Sequence, residues 1–252
     1  MEDRLDKAAD LLRPSSRVLF ITGAGISADS GLPTYRGIGG LYNEIETEDG
    51  VAIEEALSGQ MLQRQPELTW KYIHQIEGAC RGAQPNRAHE VLAELEERLE
   101  HVCVLTQNVD GFHRQAGSRN IIDIHGDIHD LLCVACDHRQ TVPDYTDVEA
   151  VPSCPRCGAA VRPNVVLFGE LLPTDKVGHL QRELEGGFDA VFTIGTSSGF
   201  PYIAGPVLSA RRAGIPTVEI NPGETEVSPL VDIKLSTGAA AAFEALWQRL
   251  LT

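Results

Sequence analysis

No stretch of this chain holds the roughly 20 consecutive apolar residues that a helix needs to cross a bilayer, so an ordinary membrane-spanning helix is excluded. The charged opening Met1-Glu2-Asp3-Arg4 is followed by no apolar segment, so no secretory leader is expected and the cytoplasm is the expected compartment. Positive charge is in the minority: 21 Lys and Arg stand against 36 Asp and Glu, for a formal net charge of −15. A dedicated nucleic-acid binder presents a basic face, so direct nucleic-acid binding is not expected either. An acidic surface attracts basic polypeptide segments at low salt, or simply keeps a chain in solution. There is no internal repeat and no low-complexity tract. At 252 residues the chain can bury a good core, as one large domain or as a large one carrying a smaller insert.

What is present is a regular alternation of apolar runs and amphipathic stretches. Leu5, Ala8, Ala9 and Leu12 recur at helical spacing before Pro14, and Arg17-Val-Leu-Phe-Ile-Thr22 reads as a buried strand running into glycines. Residues 38–85 carry no clear strand and read as a helical insertion, with helix-forming stretches at 54–57 and 66–79. From Asn86 onward the pattern predicts a helix from Ala88, a strand at 101–106, a short helix around 112–116 and a strand at 121–124. A further apolar run covers 164–168. Helices at 173–185, 202–213 and 239–250 then alternate with strands at 188–194 and 216–220. Alternation of this kind predicts an α/β protein: a doubly wound, parallel, Rossmann-like sheet with a smaller domain made of the helical insert and a cysteine-rich module. The expected boundaries are 1–37, 86–127 and 162–252 for the nucleotide-binding domain, 38–85 for the helical insert and 128–161 for the module.

Two motifs carry chemistry. Gly23-Ala24-Gly25-Ile26-Ser27-Ala28 fits G-x-G-x-x-G/A directly after a strand. In such a turn Gly23 permits the tight bend, Gly25 lets the backbone approach a pyrophosphate, Ala28 allows close helix packing, and N–H groups at a helix start hold the phosphates. A plain tight strand-to-helix turn would look the same. The acidic residue that usually ends a second strand some 20 positions on is missing, because Glu44, Glu46, Glu48 and Asp49 fall in a strandless stretch; an ordinary dehydrogenase therefore fits poorly. The second motif is Cys133-x2-Cys136 with Cys154-x2-Cys157, a spacing that supplies four thiolates from two knuckles and closes a tetrahedron around structural zinc. An iron–sulfur cluster is the rival reading. His129 and His138 are left over and expected at the surface, while Cys80 and Cys103 read as packed bystanders.

Taken with Thr106-Gln107-Asn108-Val109-Asp110, His125-Gly126, 162–170 (Arg-Pro-Asn-Val-Val-Leu-Phe-Gly-Glu) and Gly195-Thr196-Ser197, these motifs resemble the sirtuins, NAD-dependent protein-lysine deacylases, over nearly the whole chain. The resemblance implies that NAD is consumed as a co-substrate. The acyl oxygen of a modified lysine attacks C1′ of the nicotinamide ribose and expels nicotinamide. The His125 position then acts as general base on the ribose hydroxyls, and water finally releases free lysine and an O-acyl-ADP-ribose. A histidine suits that task because its pKa lies near working pH. By the same resemblance Asn108 and Asp110, with Gln107, line the nicotinamide and ribose pocket. Asp110 equally fits a helix cap for the turn at Gly111. Tyr35 shields the reacting ribose and Arg36 approaches phosphate or ribose; Gly195, Thr196, Ser197 and Asn221 hold the phosphate–ribose and adenosine portions. Val166 accepts from the lysine side chain, Phe168 walls the lysine tunnel, and main-chain groups of Gly169 and Glu170 pair with a substrate peptide as an added strand. One structural zinc and acyl-lysine proteins complete the implied ligands and partners.

The sequence departs from the family pattern at Thr34, where aspartate is frequent, at Tyr35, where phenylalanine is usual, and at Ile38, where a small alanine is usual. Members that prefer succinyl or malonyl lysine carry a Tyr-x-x-Arg pair in the helical insert, and Lys71 and His74 occupy those places here. Neither offers a bidentate fork to a carboxylate, so small neutral acyl groups, acetyl foremost, are expected. The competing readings are a protein mono-ADP-ribosyltransferase, which would label protein without an acylated substrate, a deacylase for longer or acidic acyl groups, a dehydrogenase, and a non-catalytic NAD-binding module, which would have no need of a base at His125.

Overall fold

The structure is a computed structural model, and it describes residues 1–34 and 46–252. Helix α1 (Glu2–Leu12) leads into β1 (Arg17–Thr22), and then come α2 (Ile53–Ala56), α3 (Gly59–Arg64) and α4 (Pro66–Cys80). Next are α5 (Arg87–Leu95), β2 (His101–Thr106), α6 (Phe112–Gln115) and β3 (Ile121–Asp123). The cysteine-rich part holds β4 (Gly126–Cys133), β5 (Arg139–Thr141) and β6 (Val161–Val165). The chain ends with α7 (Thr174–Gly186), β7 (Ala190–Ile194), α8 (Pro201–Arg212), β8 (Thr217–Ile220), β9 (Ile233–Leu235) and α9 (Ala239–Leu251).

Six strands form one parallel sheet in the order β3-β2-β1-β7-β8-β9. Numbered within the sheet this is 3-2-1-4-5-6, the doubly wound arrangement with its reversal between β1 and β7. Its central strands are buried along nearly their whole length because both faces are covered. Along β1, Val18 and Phe20 join a core with α1, α5 and α9, whereas Leu19 and Ile21 join a core with α7 and α8. Phe20 meets Phe192 at 5.1 Å between ring centres and Phe243 at 6.1 Å. Truncating such a buried ring costs about 3–5 kcal/mol. Cys103 packs in the second core, and burial raises the thiol pKa of both Cys80 and Cys103, so both stay protonated bystanders as expected.

The second, antiparallel sheet has the order β5-β4-β6. It shares one hydrophobic cluster with the preceding helices: Ile53, Trp70, Tyr72 and Ile73 pack with Ile128, Leu131, Tyr145, Cys154 and Val161. The helical stretch and the cysteine module thus bury their apolar faces against each other. Among the described residues no helix is long and apolar enough to cross a membrane.

The glycine turn differs from expectation. No α-helix starts there; two 3₁₀ turns follow instead, Ala24–Ile26 and Ala28–Ser30. Ala28 is exposed, so it packs no helix on the sheet. The turn is fastened from outside: Asn86, which caps α5 through its side-chain oxygen, donates its amide to the Ile26 carbonyl at 2.8 Å and to Ser30 Oγ at 2.9 Å. Asp29 accepts from the Ala240 N–H and so closes the start of α9.

Across the reversal the turn meets the loop after β7. The Gly25 N–H donates to the Gly195 carbonyl at 2.8 Å, and a Cβ on Gly25 would stand 2.6 Å from Gly195 Cα. Gly195 has φ +58, and its Cβ would lie 2.4 Å from Gly25 C and Ile26 N. Main chain cannot retreat as a side chain can, so Gly195→Ala should cost about 3 kcal/mol from overpacking and left-handed strain together. Urea denaturation would measure it, and a loss below about 1 kcal/mol would show that the two loops yield.

Candidate active site

The expected site residues gather at the carboxyl ends of the parallel strands. Gln107 and Asn108 follow β2, His125 follows β3, the 195–198 loop follows β7 and Asn221 follows β8. Gln107 Nε2 donates to Thr196 Oγ1 at 2.7 Å, which joins the two halves of the sheet, and Asn221 Nδ2 donates to the Thr196 carbonyl at 3.1 Å. Asn108 Nδ2 lies 3.2 Å from both the Gly23 carbonyl and Ser27 Oγ. The carbonyl can only accept, which fixes which end of the amide points there. Buried Asp110 accepts from Ser27 Oγ at 2.7 Å and from the Phe112 N–H at 3.0 Å. Its burial raises the carboxyl pKa against these hydrogen bonds. Gly111 is the residue that caps α6; Asp110, one position earlier, holds the first N–H of that helix and has Ser27 as its second partner.

Much of the glycine turn's main chain is engaged within the protein. The N–H groups of Gly23, Gly25, Ile26 and Ser27 are all spent on backbone carbonyls. Gly25 serves the close contact with Gly195. A polar group not singled out from sequence lies across the reversal: Ser198, at φ +57, has its hydroxyl buried with no hydrogen-bond partner among the described residues. An orphaned hydroxyl in the loop after β7, at a topological reversal, fits a polar ligand seated there. Ser197 beside it is exposed. Tyr35, Arg36 and Ile38 fall outside the described residues.

His125 is held at both ring nitrogens. Nδ1 lies 3.0 Å from the Gln107 carbonyl and Nε2 lies 2.7 Å from the Tyr202 hydroxyl. Burial lowers its pKa, the Gln107 carbonyl opposes that shift, and nearby Lys176 reinforces it. The following residue explains the His-Gly pair: Gly126 has φ +92, and a Cβ there would stand 1.8 Å from the Asn164 carbonyl oxygen. Only glycine lets β6 run against β4 at that point, and the His125 carbonyl accepts from the Val166 N–H at 2.8 Å. Two other histidines, His89 and His113, are buried with rings 4.9 Å apart, and burial lowers the pKa of each. His113 bonds Thr22 Oγ1, so it belongs to the floor beneath the site.

In the 166–170 segment, the Phe168 N–H donates to the Leu57 carbonyl and the Phe168 carbonyl accepts from Gly59, so this stretch already pairs with the helical insert. The Glu170 N–H is turned inward to the Leu167 carbonyl, and the Glu170 carboxylate takes Arg162 at 2.6 and 2.9 Å. Glu170 thereby shapes the loop. Gly169, at φ +81, and the Phe168 ring are exposed.

The four cysteine sulfurs lie within 4.8 Å of one another, with Cys133 and Cys157 at 3.5 Å and Cys136 and Cys154 at 3.7 Å. These spacings are far too long for disulfides and match the edges of a tetrahedron built on ~2.3 Å zinc–sulfur bonds. An iron–sulfur cluster would place its own sulfides between the thiolates and spread them further. The backbone N–H of Ala135, aimed at the Cys133 sulfur, leads the causes that lower that thiol to about 6. His129 and His138 differ from expectation in being half-buried; His129 bonds Asp127, and His138 Nε2 is buried without a partner among the described residues.

Comparison with known proteins agrees with this geometry. The Sir2 family model matches residues 23–200. The NAD-dependent protein deacylase 2 of Pseudomonas aeruginosa is 51% identical over 235 residues, covering 92% of this chain and 91% of that protein. The solved complex of a Sir2 homologue with 2′-O-acetyl ADP-ribose is 36% identical at a TM-score of 0.87, covering 97% of this chain and 96% of that one. A Sir2 protein solved with a deacetylated p53 peptide and 3′-O-acetyl ADP-ribose is 29% identical at a TM-score of 0.86, covering 97% of each chain. The chain belongs to the Sir2 family.

Two outcomes follow. A base works when neutral, and the pKa of His125 is lowered from 6.5, so kcat/KM should be flat near neutrality and fall only as pH drops through a midpoint below 6.5. A pH–rate profile with that limb centred above 7 would contradict the assignment. Chelation should release one zinc per chain and speed amide exchange along β4 and β6, read by mass spectrometry; unchanged exchange after metal release would show that the ion does not hold the module.

Proposed function

We infer that this protein removes acyl groups, acetyl foremost, from lysine side chains of proteins, consuming NAD and releasing nicotinamide and O-acyl-ADP-ribose. The observation that carries the reading is His125, kept neutral at the carboxyl end of the sheet in a Sir2-family chain. NAD supplies an electrophilic ribose carbon and a leaving group when bound. The residues suited to hold it are Asn108, Gln107, the 195–198 loop and Asn221, with the Ser198 hydroxyl as a waiting partner. His125 would take a proton at Nε2 from a ribose hydroxyl, and the Gln107 carbonyl would steady the Nδ1–H as charge builds on the ring. The substrate is an acyl-lysine in an extended peptide, lying against the 166–170 segment. Four thiols poised for metal suit a reducing compartment, which supports the cytoplasm as the place of action.

The neutral-acyl preference gains support from the insert. Lys71 is engaged by Glu48 at 2.8 Å and by Asp49 at 2.6 Å. His74 packs between Trp70 and Tyr145 and bonds the Glu149 carbonyl. Each would have to leave its own partners to receive an acyl carboxylate.

The test is mass spectrometry of wild type and His125→Ala with NAD and acetyl-, propionyl-, succinyl- and decanoyl-lysine peptides. Free lysine should appear with nicotinamide and O-acyl-ADP-ribose, fastest for acetyl, and the variant should lose about 100-fold or more in rate. A succinyl advantage would overturn the acyl preference. Intact peptide with ADP-ribose attached to protein would replace the deacylase reading with the transferase.

A further inference from the structure

The hydrogen bond between His125 and Tyr202 crosses the crevice of the sheet. His125 stands beyond β3 on one side of the reversal, and Tyr202 lies in the first turn of α8, which follows β7 on the other side. The Gln107 carbonyl can only accept, so Nδ1 carries the hydrogen and Nε2 of the neutral ring is the acceptor. Tyr202, 2.7 Å from Nε2, must then be the donor. Its phenol is pushed up to about 12 by burial and keeps its proton. Phe200 stacks on the Tyr202 ring at 5.3 Å and 14°, and both rings stand edge-on to the imidazole. Pro201 between them sets the start of α8. A stacked, Pro-fixed pair of rings therefore aims one hydroxyl at the lone pair that the reaction uses.

We propose that Tyr202 is a positioning residue that acts as a placeholder on the base: in the free protein its hydroxyl occupies the His125 Nε2 lone pair that a ribose hydroxyl of the co-substrate must take. The inference rests on the deacylase reading of the site. The in-plane lone pair of an imidazole nitrogen accepts one strong hydrogen bond, so phenol and ribose compete for it. Before the co-substrate arrives, the two bonds at Nδ1 and Nε2 fix the ring plane and the accepting tautomer. When the ribose arrives the phenol gives up its bond, and binding is weaker by the worth of that bond.

Tyr202→Phe keeps the ring stack and removes only the hydroxyl. Calorimetric titration of the zinc-loaded protein with ADP-ribose and with ADP separates the possibilities, because ADP lacks the second ribose. The variant should bind ADP-ribose about fivefold more tightly, the size of one net hydrogen bond, and bind ADP within twofold of wild type. In ¹⁵N spectra of the free protein, the His125 Nε2 resonance should move toward that of an unbonded imidazole nitrogen while Nδ1 stays protonated. Weaker ADP-ribose binding by the variant would make Tyr202 a direct ligand contact and overturn the placeholder. Equal shifts for both ligands would reduce it to general packing, and an unmoved Nε2 resonance would remove the bond itself. If wild type bound neither ligand, the reading of the whole site would fall, and the placeholder with it.

Discussion

The close approach of the β1 and β7 loops, main chain against main chain, sets the geometry on which the rest of the carboxyl end depends. Gly25 and Gly195 stand where any side chain would meet backbone at 2.4–2.6 Å. The hydrogen bonds of Gly23 to Ile194, Gly25 to Gly195 and Gly195 to Ile220 then stitch three adjacent strand ends into one surface. With that surface fixed, Thr196 is placed to receive both Gln107 and Asn221, and the two halves of the sheet share a floor of side-chain hydrogen bonds. The glycines of this turn thus shape the protein before they shape any ligand.

On that floor the chemistry is arranged by withholding water as much as by supplying charge. His125, Asp110, His89 and His113 all have pKa values moved toward their neutral forms, and burial is the largest cause for each. A protein with a net charge of −15 nonetheless shifts these groups toward their neutral forms, because local desolvation outweighs a distant, screened surface field. The carboxylates that stay ionised are tied elsewhere: Glu170 to Arg162 and Asp49 to Lys71.

Much of this was legible in the sequence because continuous apolar runs mark strands buried on both faces. β1, β2, β7 and β8 lie within a residue or two of the positions read from the pattern, and the four cysteines were legible from spacing alone. β9 was not legible: it has three residues with Lys234 at its centre, and it carries no periodicity of its own. β4 was hidden by Asp127, His129 and Asp130, and β6 by Pro163, which an edge strand tolerates; the apolar run at 164–168 extends past the strand into the loop. The absence of an α-helix after the glycine turn was equally out of reach, since two 3₁₀ turns satisfy the same motif. Asn108 and His125 could be named from motif order. Tyr202 and Ser198 could not, because their importance comes from a contact across the crevice and from a missing partner, neither of which has a spacing.

β4 begins at Gly126, the residue after the base, and ends at Cys133, one of the four clustered thiols. The strand bulges between Asp127 and Leu131, so its eight residues run alongside only five of β6, a span of roughly 14 Å that links base and metal ligand directly. It is splinted by β6 at both ends and braced by the helices of the insert through Ile128 and Leu131. Positional noise at His125 is therefore governed by an anchorage far from the crevice, much as the tip of a cantilever is steadied by its clamp.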